Sequence, residues 1–547
     1  MKKNSFITGT IISTASIVLV KLMGMLYVIP FYNIVGSKGG ALYSYAYQIY
    51  LLFLGISSAG IPNAISKVIS EYNSTGKKEA KTRAFYLGKK IITYISLIAF
   101  ILLFIFAEEI GMLYLGKIEG GNTPADAAFV IRCVSIAILI IPHLSVSKGY
   151  LQGHKYIGPS STANLLEQII RIFIILAGSF LAYKVFDSSL SLAVGIAVSG
   201  AFFGGLIAYL YLRSKIKKYQ TELDLNQELK PDTVTNKEII KKIISYAIPF
   251  VIINIISNIY SITDSVLILR TLTNLGYSAT DVEFIASCIS TWGTKISMIV
   301  NSIAMGMTVS LIPSIVEAYA TKNKSKLNER INKALEMIIF ISLPMTVGIS
   351  ILAIPVWTIF YNTNQYGGEI LRIMIFCALF GNLSMIISST LQSMNKFKYV
   401  YFTNIFGTIL NAMLDVPLMI LCHNLGIDAY YGANIASLIG YTLSILVGLK
   451  LINHNKDISY KESLIVLLKT LIPTIIMVAA LLILNSFIKV DVYTKIGSFI
   501  LITVDAILGS LIYFAISFKL KLPITIFGEE YIKNIRKKLT LRKSKKN

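Results

Sequence analysis

The chain has 547 residues, 55% of them hydrophobic and 14% charged, with a mean hydropathy of +0.68. Soluble domains carry about 25% charged residues, so this composition excludes a soluble enzyme, a secreted disulfide scaffold and a disordered regulator. The net charge of +23, from 51 Lys and Arg against 28 Asp and Glu, points to basic loops on the cytoplasmic side of a membrane rather than to nucleic acid.

Apolar runs longer than about 18 residues recur along the whole chain, and each is long enough to span a bilayer. Fourteen spans are predicted, at 6–32, 41–68, 85–107, 126–150, 161–185, 188–212, 243–269, 284–314, 334–360, 367–393, 397–422, 427–449, 463–488 and 493–518. The first follows Met1-Lys2-Lys3 and lacks a clear small-residue cleavage site, so it reads as a retained helix rather than a signal peptide. With the N-terminus in the cytoplasm, the inside segments hold most of the Lys and Arg and the outside loops hold few. That bias places both termini of a multi-pass membrane protein in the cytoplasm.

Outside loops are short, and the longest, around 108–125, leans acidic through Glu108, Glu109 and Glu119. One long polar linker at 213–242 lies inside and splits the first twelve spans into six and six. The expected organisation is an N-terminal six-helix lobe at 1–214, a cytoplasmic linker at 215–237 and a C-terminal six-helix lobe at 238–452. Helices 13 and 14 follow at 453–518, and a basic tail at 519–547. The tail reads as an anchor on the anionic inner leaflet. The fold class is an all-α polytopic membrane protein with two pseudo-symmetric lobes.

An internal repeat supports that split. Leu151-Gln152-Gly153 with Asn164 recurs 240 residues later as Leu391-Gln392-Ser393 with Asn404. Ser70-Glu71-Tyr72 with Lys77, Lys78 and Arg83 is echoed, at an offset of 246, by Val316-Glu317-Ala318-Tyr319 with Lys322, Lys324 and Arg330. Six is an even number of spans, so the halves share one orientation, as in transporters built from parallel repeats.

Ionisable groups inside spans are costly and need a reason. Lys21 lies deep in the first span and Lys295 in the eighth, one in each half; both suit an anion such as a phosphate, or a neutralised structural role. Glu167 and Arg171 stand at i,i+4 in the fifth span with the acid first, the favourable order for an ion pair, structural or gating. Arg132 and Arg372 lie near the outer ends of spans four and ten, where they either snorkel to the interface or meet a substrate head group. Asn411 and Asp415 share a face of the eleventh span, and Asp264 lies in the outer part of the seventh. These oxygens suit a coupling cation or a proton relay, or a satisfied buried acid. Asp505 in span fourteen is similar but shows no partner. Tyr43, Tyr45, Tyr47, Gln48 and Tyr50 crowd the second span, where they line a wet cavity, bind sugar, or sit at the interface. Pro62 and Pro313 suggest kinks or half-broken helices.

No Walker A sequence or soluble nucleotide domain is found, so no ATP hydrolysis is expected, and no enzyme activity. Cys133, Cys288, Cys377 and Cys422 lack CxxC spacing, and His143, His154, His423 and His454 form no cluster, so neither a disulfide framework nor a metal site is expected. No cofactor is expected beyond coupling to Na+, H+ or the membrane potential. The potential acts on charge at about 2.3 kcal/mol per charge per 100 mV.

Two stretches carry a family resemblance. One runs from Ala46-Tyr47-Gln48-Ile49-Tyr50 through Ser58-Ala59-Gly60-Ile61-Pro62-Asn63-Ala64-Ile65-Ser66-Lys67-Val68-Ile69-Ser70-Glu71. The other joins Lys148-Gly149-Tyr150-Leu151-Gln152-Gly153, Pro159 and Glu167-Gln168-Ile169-Ile170-Arg171. They resemble the stage V sporulation protein B / YtgP group, polysaccharide exporters related to the MurJ lipid II flippases in the MOP superfamily, which also holds the MATE drug exporters. The resemblance covers essentially the whole chain. It implies two six-helix lobes, alternating access, and spans thirteen and fourteen forming a groove for a lipid tail. It further implies transfer of an undecaprenyl-pyrophosphate-linked saccharide from the inner to the outer leaflet; a monomer in the bacterial cytoplasmic membrane with no nucleic-acid partner is expected. Lys21 and Lys295 stand where cavity arginines of such flippases would meet the pyrophosphate. The rivals are a MATE-like cation-coupled drug antiporter, a membrane glycosyltransferase or ligase, and a non-transporting scaffold. The cavity lysines argue against the antiporter, and the short outside loops against the transferase.

Overall fold

The structure is a computed structural model that describes residues 6–58, 60–116, 120–223, 225, 232–453, 458–487 and 490–529, with the helical backbone alone at 6–14, 18 and 303–313. Glu119, His454, the side chain of Pro313 and the tail beyond 529 therefore lie outside the described residues.

The described residues form helices and no strand. In chain order these are α1 (Phe6–Leu26), α2 (Val28–Ser58), α3 (Ile61–Ser74), α4 (Lys78–Ile105), α5 (Ala107–Leu115), α6 (Pro124–Ser135), α7 (Ala137–Gly153), α8 (Ile157–Phe173), α9 (Leu190–Lys218) and α10 (Asn236–Asn274). There follow α11 (Ala279–Ser287), α12 (Gly293–Ala320), α13 (Lys324–Ile351), α14 (Ala353–Tyr361), α15 (Gly367–Ser393), α16 (Phe397–Asn424), α17 (Tyr430–Ile452), α18 (Lys461–Phe487), α19 (Lys495–Lys519) and α20 (Leu522–Phe527). Wider π-turns occupy Ile174–Gly178, Leu181–Val185 and Cys288–Trp292. Among the described residues, twelve helical segments are long and apolar enough to cross a membrane. They match the expected spans two to seven and nine to fourteen. The expected spans one and eight are helical at α1 and α12, but part of each lies outside the described side chains.

Two boundaries differ from the sequence reading, and glycine is the reason in both. The first span does not stop at residue 32. Helix continues to Gly36, whose φ of 67° and ψ of −169° only glycine adopts readily. The second span is broken at Gly60 (φ 73°), and α3 starts with Pro62 in its first turn, where a missing N–H costs nothing. Pro62 thus opens the second segment of a broken span, one of the two outcomes expected for it. A Cβ built on Gly60 would fall 2.5 Å from Phe250 Cβ, so α10 presses against the break one residue past its own Pro249.

The linker is shorter than expected, because α9 runs to Lys218 and α10 begins at Asn236 under a Thr235–Glu238 capping box. Its ends are strapped to the first-half helices. Tyr150 Oη donates to the Leu223 carbonyl at 2.9 Å. Asp232 accepts from the Ala80 N–H at 2.6 Å, at the start of α4, and pairs with Arg83 at 2.9 Å.

The chain divides into two compact units, 1–296 with 408–433, and 297–407 with 434–547. The core of the first includes Ile65, Val68, Phe85, Leu144, Tyr150, Leu212 and Ile239. In the second, Phe340, Met477, Leu481, Tyr513, Leu522 and Ile526 pack together.

The sequence repeat is written into the backbone. Helices α4 and α13 are each 28 residues long and start at Lys78 and Lys324; α5 and α14 are each nine residues and start at Ala107 and Ala353. The turns before and after them repeat as well, with positive φ at Gly76 and Lys322 and at Gly116 and Asn362. Further on, Lys155 (φ 66°) and Asn395 (φ 59°) turn the chain in the same way. In the first turn Tyr156 N–H donates to Leu151 O at 2.9 Å; in the second Lys396 N–H donates to Leu391 O at 2.8 Å. Helices α8 and α16 then start 240 residues apart, at Ile157 and Phe397.

Candidate functional site

Within the first unit, α2 and the π-turn before α12 build an aromatic box. Tyr27 and Tyr43 hydroxyls lie 3.1 Å apart. The Tyr43 ring stacks on Tyr47 at 5.7 Å and on Trp292 at 5.8 Å. Lys295 is 9% exposed, and its ammonium sits 5.0 Å from the Tyr47 ring centre and 5.9 Å from that of Tyr27. Among the described residues no carboxylate pairs with it. Ring faces attract a cation without cancelling its charge, so the site keeps a positive potential that an anion can use. Gln48 lies beside the box and donates from Nε2 to Ser44 Oγ (3.2 Å) and Ser290 Oγ (3.1 Å); Ser44 and Thr291 hydroxyls lie 2.6 Å apart.

A second cationic group backs the same tyrosines. Arg171 Nη2 meets Glu167 Oε1 at 2.6 Å, and Lys148 Nζ meets Glu167 Oε2 at 3.0 Å. The pair read from sequence is thus a triad with two cations on one carboxylate. Arg171 shares with Tyr43, Tyr47 and Tyr50 the wall of a cavity of about 10 Å³, room for one water at most. Tyr43 and Tyr50 are buried there, and Tyr47 is partly exposed. Lys148 belongs to the second resemblance stretch; a lysine inside the expected fourth span was the signal that could have found it.

The other predicted residues are placed as follows. Lys21 is half-buried on α1, which is tied to α8 through Ser16 Oγ donating to Ser161 O at 2.9 Å. Arg132 stays 39% exposed and reaches Glu108 at 3.8 Å. Arg372 is 46% exposed and pairs with Glu369 at 3.1 Å. Within the first unit, Arg132 does not join the aromatic box.

Asp264, Asn411 and Asp415 come together from α10 and α16. Asn411 Nδ2 donates to Asp264 Oδ1 at 3.0 Å and to Asp415 Oδ2 at 3.1 Å. All three are buried, Asp415 completely. Asp415 Oδ1 and Asn411 Oδ1 are buried with no partner. Two carboxylates sharing one amide, away from water, call for a proton or a cation between them.

In the same unit, Glu283 at α11 accepts from both the backbone N–H and the side-chain amide of Asn122, each at 2.6 Å. Tyr32 packs edge-on to Trp292 at 5.6 Å. These contacts fasten first-half residues to the start of the eighth span, and sequence pattern gave no hint of them. Among the described residues, no three or more His, Cys, Asp or Glu side chains converge as a metal site. The four cysteines are free thiols.

The family model described as "Polysaccharide biosynthesis protein" matches residues 6–318, and the MatE model matches residues 249–416. The chain belongs to the polysaccharide biosynthesis protein family. It is 32% identical over 468 residues to the lipid II flippase MurJ of Bacillus subtilis (strain 168), covering 84% of each chain. It is 22% identical over 339 residues to stage V sporulation protein B of the same organism, covering 62% of this chain and 63% of that protein. Family membership agrees with the resemblance read from the Gly60-Ile61-Pro62 and Gly149-Tyr150-Leu151-Gln152-Gly153 stretches. The fold is shared with a solved lipid II flippase MurJ in an inward closed conformation, at a TM-score of 0.68 and 17% identity, over 93% of this chain and 99% of that one. It is also shared with an inward-facing MATE transporter of the MOP superfamily, at a TM-score of 0.63 and 16% identity, over 80% and 98%. This family member is a multi-pass membrane protein.

Proposed function

We infer that the chain is a flippase carrying an undecaprenyl-pyrophosphate-linked saccharide, lipid II or a related cell-wall intermediate, from the inner to the outer leaflet. The observation that carries this reading is the buried Lys295, held by tyrosine faces and left without a carboxylate among the described residues. A pyrophosphate suits such a charge. Lys21 on α1 supplies a second cation, and Gln48 with its serine neighbours supplies hydrogen bonds for sugar. The Arg171–Lys148–Glu167 triad adds positive charge behind the tyrosines and holds α7 to α8. Arg132 and Arg372 anchor outer helix ends at the interface.

The two six-helix lobes, 1–214 and 238–452, are the bodies that alternate, and the monomer works in the cytoplasmic membrane with both termini inside. No ATPase domain is required. Asp264, Asn411 and Asp415 bind the coupling ion, Na+ or H+, and the membrane potential acts on the charged cargo. The similarity to the B. subtilis flippase supports the cargo class.

A second reading, a MATE-like cation-coupled drug antiporter, is favoured by the MatE match at 249–416 and by the acid pair inside it. One experiment separates the two. A bacterium depleted of its own lipid II flippase receives this chain, Lys21→Ala or Lys295→Ala at matched membrane levels. Rescue by the wild type and failure of the variants supports the flippase. No rescue by well-inserted wild type, with drug efflux gained, supports the antiporter.

A further inference from the structure

Asp505 is an acid inside a membrane-spanning helix and outside the internal repeat. It sits on α19, 1% exposed, on a buried face shared with Ser498, Leu501 and Gly509. Its partner is Asn485 of α18, whose Nδ2 donates to Asp505 Oδ2 at 2.7 Å. The other oxygen of each fork, Asp505 Oδ1 and Asn485 Oδ1, is buried with no hydrogen-bond partner. Joined through one arm each, the two forks leave one buried acceptor apiece without a donor. Two buried acceptors leave two desolvation penalties unmet, and an ionised carboxylate at this depth adds the cost of a buried charge.

One proton resolves all three. On Asp505 Oδ1 it makes the acid neutral and gives Asn485 Oδ1 a donor, closing a reciprocal acid–amide pair. We propose that Asp505 and Asn485 form a proton-binding site in the α18–α19 hairpin, in which the neutral carboxyl donates back to the asparagine oxygen. The ligand is a single proton taken from water at the turn end of the hairpin, the end the charge bias places outside.

Among the described residues, the charged side chains of the packing helices lie well along those helices from the pair; Lys489, four residues past Asn485, falls outside the described residues. Helix α14, packed on α19, carries no charged side chain, and Tyr361 at its end is its one titratable group. On α18 the charged residues are Lys461, Glu462 and Lys469. The nearest, Lys469, lies 16 residues before Asn485, about 24 Å along the helix. On α19, Lys495 stands about 15 Å from Asp505 by the same rise, and Lys519 ends the helix. Asp491 sits in the turn, Lys333 and Glu336 of α13 belong to its first half, and α20 has no charge. The site is independent of the cargo and of the Asp264–Asp415 group, so it stands whether or not the chain is a flippase.

The test is an infrared comparison of the full chain in lipid nanodiscs at neutral pH, wild type against Asp505→Asn. Asparagine reproduces the neutral fork and can still bond with Asn485, so folding is retained. The expected result is loss of one neutral-carboxyl carbonyl band in the variant. Asn485→Leu keeps the acid and serves if Asp505→Asn does not insert; there the same band shifts upward as its hydrogen bonds are lost. Identical spectra of wild type and Asp505→Asn would overturn the proposal, because Asp505 would then be ionised. A band that appears only when sodium is removed would also overturn it, placing a metal cation where the proton is assigned.

Discussion

Helices α8 and α16 occupy the same place in the two halves and carry opposite chemistry. Arg171 and Asn411 are 240 residues apart, the offset that separates Gln152 from Gln392 and the starts of the two helices. In the first half this position holds a guanidinium, with Glu167 one turn before it and Lys148 beyond. Two cations meet one carboxylate there, and Lys295, on the eighth span, rests on the neighbouring tyrosine rings. In the second half Asn411 holds two carboxylates, Asp264 and Asp415, and no cation is paired with them among the described residues. The repeat keeps the turns and the lengths of α4 with α13 and of α5 with α14, while the side chains at one repeat position differ in polarity. Under the proposed function, the first position serves the anionic cargo and the second the coupling cation.

Substitutions break this contrast in graded ways. The largest effect is expected from Arg171→Ala, which leaves Glu167 buried with half its partners. Removing one member of a buried pair costs about 3–5 kcal/mol, so the thermal midpoint of the purified chain should fall sharply and rescue should fail. Arg171→Lys should recover part of the stability, because a point charge replaces a fork. Lys295→Ala should leave the midpoint near wild type and cut cargo transport by about tenfold or more, the effect of losing roughly 1.4 kcal/mol or more of anion binding. Lys295→Arg should keep most of it. Asp415→Asn should hold or raise the midpoint, since it removes one of two facing acids, while transport loses its dependence on the ion gradient. The smallest effect is expected from Glu283→Gln, which still accepts one hydrogen bond from Asn122. It should cost about 1 kcal/mol and lower the thermal midpoint of the purified chain slightly.

The helical spans were legible because a bilayer demands long apolar runs. The tenth span, 367–393, is α15 to the residue, and the eleventh, 397–422, falls short of α16 by two. The breaks at Gly36 and Gly60 were not, because hydropathy does not register φ. Pairs on one helix, Glu167 with Arg171 and Asn411 with Asp415, could be read from i,i+4 spacing. Partners on other helices could not. Lys148 lies 19 residues from Glu167, Asp264 lies 147 from Asn411, and Asn485 meets Asp505 across a hairpin. The tyrosine crowd on α2 was visible in sequence, but its closure around Lys295 depends on Tyr27 and Trp292 from elsewhere. Arg132 and Arg372 looked alike in sequence, and each found a carboxylate at the surface.

The opposite polarity of the two sites is tested most directly in liposomes holding the purified full chain and a fluorescent undecaprenyl-pyrophosphate saccharide. Flipping is followed with and without an imposed Na+ or H+ gradient for the wild type, Lys295→Ala and Asp415→Asn. The predicted result is gradient-driven flipping by the wild type, little flipping by Lys295→Ala under any gradient, and slow, gradient-independent flipping by Asp415→Asn. Wild-type rates from Lys295→Ala, or an undiminished gradient response from Asp415→Asn, would contradict the assignment of anion and cation to the two halves.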